Sequence, residues 1–267
     1  RILVRATNWV GDAVMSLPAL RALRERFPSA HIAVQARTWV ADLYARESFA
    51  NRVIPYTARR SAGDWSGRWD AAQALRRERF DCAILLPNSF DSALIAWLAG
   101  IPCRIGYSRD ARRILLTRAV AKPQPGEIPR HERYYYLELL GRAGILDTLP
   151  DSGPITLDGS DAAREAGRRR FDDMGVRGPV IGVSPGAAFG SAKRWFPERF
   201  AAVAVRVAAE RHSEIALFGS SAEADICEQV EAAIRYAGRR AINLAGATTL
   251  AGFIDLAAAC ELWRLKR

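Results

Sequence analysis

The residues best suited to chemistry in this chain are an aspartate on a glycine turn and a lysine-arginine pair in a glycine-rich loop. Asp12 closes the stretch Thr7-Asn8-Trp9-Val10-Gly11-Asp12, directly after the apolar run that opens the chain. A carboxylate there could take a proton from an attacking hydroxyl, and it could equally cap the helix that follows. Lys193-Arg194 stands inside Val180 to Phe200, where a β-branched run breaks at Pro185-Gly186 and Gly190 and a helix restarts at Pro197. Glycines let backbone N–H groups approach an anion closely, and the two cations bring fixed positive charge to the same place. The competing reading of Lys193 is a solvated surface charge. A third strand end, Phe218-Gly219-Ser220-Ser221-Ala222-Glu223, could hold a ribose through Glu223 or simply begin a helix with an acidic first turn.

Two familiar signatures fail on these residues. In Gly186 to Lys193 the lysine does not directly follow the second glycine, and no Ser or Thr follows the lysine to hold magnesium, so this is not a Walker A loop. Gly182-Val183-Ser184-Pro185-Gly186 matches G-x-S-x-G, but the residue that must donate its N–H to an oxyanion is Pro185, which has none. His31, His131 and His212 share no ligand spacing, and Cys82, Cys103, Cys227 and Cys260 form none of the close sequence pairs used by metal or redox sites. The expectation is reduced, structural thiols and no metal.

These residues must be positioned by a scaffold, and the hydrophobic pattern says which kind. Arg1 to Ala6, His31 to Gln35, Arg52 to Pro55, Asp81 to Leu86 and Pro102 to Tyr107 read as strands, separated by helical stretches such as the one carrying Leu17, Leu20, Leu23 and Phe27. Residues 117–130 read as a loop and His131 to Gly144 as a helix. Around Leu149 to Ser160 the composition turns to Pro, Asp, Ser and Gly, which marks a linker. Beyond it come strands at Val180 to Val183, Glu214 to Phe218 and Ala241 to Leu244, with helices between, and Glu261 to Arg267 reads as a charged tail rather than a fourth strand. Alternation of this kind predicts α/β architecture with parallel sheets, in domains of residues 1–150 and 151–267.

The 267 residues carry a formal charge of +10, unevenly placed. Residues 1–150 hold 23 Lys and Arg against 14 Asp and Glu, while residues 151–267 hold 16 against 15. A basic first half points to an anionic partner: nucleic acid, a membrane surface or a phosphorylated substrate. The consecutive Tyr134, Tyr135 and Tyr136 point in three directions on a helix and cannot form one base-stacking platform, which argues against nucleic acid. The longest apolar run, Ala93 to Pro102, is roughly half the ~20 residues needed to cross a bilayer. With no secretory signal read at the start, the expected location is cytoplasmic.

Several stretches together resemble one family. NWVGDAVMSLPALRALRERFP, LLPNSFDSALIAWLAGIPCRIGY, SPGAAFGSAKRWFPERFAAVA, LFGSSAEAD and NLAGATTL occur in the order found in the lipopolysaccharide heptosyltransferases of glycosyltransferase family 9. The resemblance implies a GT-B fold, two Rossmann-like domains facing across a cleft with the acceptor on the first and the nucleotide sugar on the second. It implies inverting, metal-independent transfer of a heptose from ADP-heptose, a co-substrate rather than a cofactor, to a lipid A-Kdo-heptose acceptor. The enzyme would be a monomer peripheral to the cytoplasmic side of the inner membrane. On this resemblance Asp12 is the base and Lys193 steadies the departing ADP. Ser184, Gly186, Ala187, Gly219, Ser220, Glu223 and Thr248 line the donor site, and Asn8, Trp9, Arg59, Arg60, Arg112 and Arg113 meet the acceptor. Family members continue past this point into an Asp-Ser/Thr-Gly-x-x-His segment, so the second domain is expected to be incomplete, with weak donor binding and little turnover. The alternatives are a silent remnant that binds anionic glycolipid and a basic nucleic-acid or membrane-binding module.

Overall fold

Short apolar segments alternate with amphipathic ones along the whole chain, and in the computed structural model they assemble into two parallel sheets. The structure describes residues 1–57, 65–109, 111–151, 153–187 and 194–264. The chain divides into two compact units, Arg1–Asp158 and Gly159–Arg267. The first unit extends beyond residue 150 because residues 156 to 158 are tied back to it. The Arg21 guanidinium donates to the Glu47 and Asp158 carboxylates at 2.8 and 3.1 Å and to the Thr156 carbonyl at 2.7 Å, and Asp158 accepts from the Ser48 amide and hydroxyl.

The first unit runs β1 (Ile2–Arg5), α1 (Val10–Arg26), β2 (Ile32–Arg37), α2 (Thr38–Ala45), β3 (Arg52–Tyr56), α3 (Trp65–Arg77), β4 (Cys82–Leu85), α4 (Phe90–Leu98), β5 (Cys103–Tyr107), β6 (Arg118–Val120) and α5 (Arg133–Arg142). The strands pair in parallel in the order β3-β2-β1-β4-β5-β6. Residues 117–130 read as loop because they hold three prolines and a glycine; pairing to β5 reveals the edge strand β6, whose first two residues are not enclosed. Leu17, Leu20 and Leu23 are no more than 2% exposed on the inner face of α1, each contributing about 1.5–3 kcal/mol of burial. Cys82 and Cys103, distant in sequence, start neighbouring strands, and their sulfurs lie 3.3 Å apart as free thiols. Burial pushes the Cys82 thiol up to about 12.

The second unit runs α6 (Ser160–Asp173), β7 (Val180–Val183), α7 (Pro197–Arg211), β8 (Glu214–Leu217), α8 (Ala224–Tyr236), β9 (Ile242–Asn243), α9 (Leu250–Ala259) and β10 (Leu262–Arg264). All four strands are parallel, in the order β10-β7-β8-β9. The strand β10 corrects the expectation of a charged tail as far as Arg264, with Leu262, Trp263 and Arg264 in register against Ile181, Gly182 and Val183; residues 265–267 lie outside the described residues. Three residues, Leu262, Trp263 and Arg264, are too few to carry a readable periodicity, and their strand state comes from the open edge of β7. Helices α6 and α9 pack backbone to backbone where Gly167 leaves space; a Cβ there would lie 2.0 Å from the Asp255 carbonyl oxygen.

In both sheets the strand order reverses beside the first strand. In the first unit the switch lies between β1 and β4, in the second between β7 and β10. In open α/β sheets the crevice at the carboxyl ends of such strands is where ligands are held.

Candidate active site

Asp12 stands at the switch point of the first unit. It is the third residue of α1, whose N-cap is Trp9 without a side-chain cap bond, so Asp12 is not the capping residue. Its carboxyl is half-buried and makes no hydrogen bond or ion pair among the described residues. Burial alone raises its pKa above the usual aspartate value. The buried phenols of Tyr44 and Tyr136 are close enough for its charge to add to the burial that raises both. A partly desolvated carboxylate without a cation to hold its charge is a stronger base than one in water.

Next to it lies a cluster that the sequence reading missed. Arg5 and Arg37 are the last residues of β1 and β2, both buried, and their guanidinium carbons sit 4.5 and 4.6 Å from the ring centroid of Tyr56, the last residue of β3. Both donate weakly to Asn8 Oδ1, each at 3.4 Å, while the Trp39 indole N–H donates to the Asn8 carbonyl at 2.9 Å. Burial brings the Arg5 guanidinium down to about 10, with Arg37 pushing the same way and Tyr56 and Asp91 opposing. Asp91, in the first turn of α4, meets Arg68 Nε at 2.5 Å and lies 3.5 Å from the Tyr56 hydroxyl. An arginine closing a mostly apolar strand, as in ILVR and IAVQAR, was the available signal: it puts a cation at the carboxyl edge.

The expected acceptor residues separate on inspection. Asn8 is occupied as the tie between β1 and β2, and Trp9 is half exposed. Arg113 is exposed. Arg112, expected to reach an anionic acceptor, is instead enclosed at 0% exposure. Its Nε donates to the Tyr107 carbonyl at 2.9 Å, and its terminal nitrogens donate to the Pro87 carbonyl, to Ser92 Oγ at 3.1 Å and to Asn88 Oδ1 at 3.4 Å. Gly106 makes the room, since a Cβ there would lie 2.9 Å from Arg112 Nη2. Arg112 therefore fixes the loop after β4 rather than facing a ligand. Arg59 and Arg60 lie outside the described residues. A separate cavity of about 400 Å³ is lined by Lys122, Arg130, His131 and Tyr135 among others, and Tyr135 accepts from Asn88 Nδ2 at 2.8 Å.

In the second unit the donor candidates gather at the carboxyl ends of β7, β8 and β9. Ser184, Gly186 and Ala187 follow β7, while Gly219, Ser220 and Glu223 follow β8. Glu223 Oε2 accepts from the Ser220 amide and hydroxyl, both at 2.8 Å, closing a capping box at the entry to α8. Its other oxygen lies over Gly186, where a Cβ would come within 1.9 Å of it. The loop after β9 is tied in by the Gly246 amide donating to the Gly219 carbonyl at 2.9 Å, with Gly246 at φ +70. Thr248 is half-buried just before Thr249, which caps α9. Arg194 is exposed, and Lys193 lies outside the described residues. Among the described residues no three His, Cys, Asp or Glu side chains are grouped to hold a metal.

The contact between Gly186 and Glu223 makes a prediction. Gly186→Ala should displace the Glu223 carboxylate and cost about 1 kcal/mol of cap stability. In a Glu223→Ala background the same change should have a smaller effect, which thermal unfolding of the four proteins would read as coupling.

A family model described as glycosyltransferase family 9 (heptosyltransferase) matches residues 68–263. The chain belongs to glycosyltransferase family 9. Lipopolysaccharide heptosyltransferase 2 of Escherichia coli strain K12 is 34% identical over 266 residues, covering 98% of this family 9 chain and 75% of its own length. The solved structure of the E. coli ADP-heptose lps heptosyltransferase II is 32% identical with a TM-score of 0.82, covering 98% of this chain and 78% of that one. A family 9 glycosyltransferase from Veillonella parvula superposes with a TM-score of 0.84 at 22% identity, over 98% of this chain and 74% of its own, a likeness of fold. The fold is thus GT-B, with two Rossmann-like units.

Proposed function

We propose that this protein is an inverting heptosyltransferase that moves a heptose from ADP-heptose to the inner core of lipopolysaccharide, with a lipid A-Kdo-heptose acceptor. The observation that carries the reading is the 32% identity, over 98% of the chain, to a solved ADP-heptose heptosyltransferase. In this reading the first unit takes the acceptor and the second the donor. The acceptor hydroxyl attacks the anomeric carbon, the bond from that carbon to the ADP oxygen breaks, and the hydroxyl proton passes to the Asp12 carboxylate. ADP leaves with the bonding electrons and the negative charge. Asp12 suits the role because burial raises its basicity and no described cation neutralises it.

On the donor side, Ser184, Gly186 and Ala187 would approach the diphosphate through backbone amides, with Gly219, Ser220, Glu223 and Thr248 around the nucleoside. Lys193 is assigned the leaving diphosphate by its match to the family, and exposed Arg194 adds charge beside it. On the acceptor side Asn8 and Trp9 border Asp12, Arg113 is an exposed cation, and Arg59 and Arg60 are proposed to add to it. The buried Arg5 and Arg37 hold the edge that presents them. The reaction as written needs no cofactor. No helix of the described residues is long and apolar enough to cross a membrane; the enzyme is proposed to act as a monomer at the cytoplasmic face of the inner membrane, where its acceptor is anchored.

Calorimetric titration with ADP-heptose, ADP and UDP tests the donor assignment. ADP and ADP-heptose should bind and UDP should bind at least tenfold more weakly. Equal affinity for the two nucleotides would contradict it.

A further inference from the structure

Helices α1 to α4 each begin at the carboxyl edge of the first sheet, and at those starts the chain leaves large aromatic side chains in solvent. Trp9 precedes α1 and is 50% exposed, Trp39 in the first turn of α2 is 52% exposed, Trp65 and Trp69 on α3 are 62% and 51% exposed, and Phe90 opening α4 is 41% exposed. Trp65 and Trp69 are four residues apart and so share one face of α3.

These side chains are linked by contacts into one rim. The Trp39 indole bonds to the carbonyl of Asn8, the neighbour of Trp9. Arg37 stacks on both Trp39 and Tyr56, and Tyr56 reaches Asp91, the neighbour of Phe90. Asp91 pairs with Arg68, whose guanidinium lies over Trp65 at 5.5 Å from the ring centroid. Aromatic rings on an outer edge suit the boundary between lipid headgroups and acyl chains, where an amphipathic ring meets both media; Arg37, buried, and Arg68, paired with Asp91, hold the rings in place from behind. The attraction to anionic headgroups is carried by the unit as a whole, where residues 1–150 hold 23 Lys and Arg against 14 Asp and Glu. Asp12 opens on the same edge, so an acceptor sugar whose lipid stays in the bilayer can reach Asp12 only if this edge comes close to the membrane.

We propose that the aromatic rim formed by Trp9, Trp39, Trp65, Trp69 and Phe90 seats the first unit on an anionic lipid surface with Asp12 facing it. The inference rests on the membrane-anchored acceptor proposed above and adds to it the surface that does the docking. Trp97, 49% exposed at the opposite end of α4, lies away from this edge and serves as a control.

The test uses the whole chain and vesicles of phosphatidylglycerol with phosphatidylethanolamine, compared with phosphatidylcholine alone. The wild type should sediment with the anionic vesicles and its tryptophan emission should shift to the blue. The double change Trp65→Ser with Trp69→Ser should weaken sedimentation about tenfold or more, and Trp97→Ser should leave it unchanged. With acceptor embedded in vesicles the double variant should show a raised KM, while kcat/KM on a water-soluble, delipidated acceptor stays at the wild-type value. Unchanged vesicle binding in the double variant would overturn the docking surface. So would an equal loss on the soluble acceptor, which would make the rim a sugar-stacking wall, or a change in oligomeric state without a change in vesicle binding. Sedimentation is read without turnover, so absence of heptosyl transfer would defeat the proposed reaction and leave the docking result standing.

Discussion

Asp12→Asn is expected to lower kcat by about a thousandfold, within the range of a positioned general base, while leaving the fold intact. Asparagine keeps the size and removes only the ability to take a proton. Because burial raises the Asp12 pKa, the wild-type kcat/KM should rise with pH along an acid limb placed above that of an ordinary aspartate, and this limb should vanish in the variant. The sign for stability is opposite. A carboxyl whose folded pKa is raised binds protons more readily in the native state, so its contribution is present at low pH and is lost as pH rises through the folded value. At neutral pH the asparagine variant should therefore be as stable as the wild type or slightly more so. A large loss of stability would mean that Asp12 holds α1 together rather than acting on a substrate.

Arg112→Met should be strongly destabilising, by about 3–5 kcal/mol, because several buried acceptors lose their donor at once. The guanidinium is enclosed and donates to the carbonyls of Tyr107 and Pro87 and to the side chains of Ser92 and Asn88. Its removal strands these acceptors in the interior, each at a desolvation cost of about 1–3 kcal/mol. Arg112→Lys should recover only part of the loss, because an ammonium cannot reach partners on several sides as a planar fork does. Arg113→Met, one residue on and exposed, should lie within about 0.5 kcal/mol of wild type. Chemical denaturation of the three variants measures the difference, and equal stability for the Arg112 and Arg113 variants would contradict the structural role given to Arg112.

The same two neighbours show what the sequence could disclose. Helices and strands with a repeating pattern were legible: the Leu17, Leu20, Leu23 stripe is buried on α1, and the run at Val180 became β7. Elements too short to hold a period were not, as with β6 and β10, whose strand state depends on a neighbouring edge. At the site, residues close together in sequence were legible, including Asp12 after its glycine and Gly186 after its proline. Contacts assembled from distant strand ends were hidden. Nothing in the chain adjacent to Arg5, Arg37 or Tyr56 says that two guanidiniums meet at one phenol ring. Nor does Arg112-Arg113 reveal that the first is sealed behind Gly106 and the second faces water. Consecutive charges look alike until the fold divides them.

The most direct test of heptosyl transfer with Asp12 as base is acceptor-dependent release of ADP, measured for wild type and Asp12→Asn side by side with the product followed by mass spectrometry. The account predicts that ADP-heptose yields ADP from the wild type only when the lipid A-Kdo-heptose acceptor is present. The acceptor should gain the mass of one heptose, and the variant should release ADP at about a thousandth of that rate while still binding donor. ADP release by the variant at the wild-type rate, with the same heptose gained by the acceptor, would contradict it.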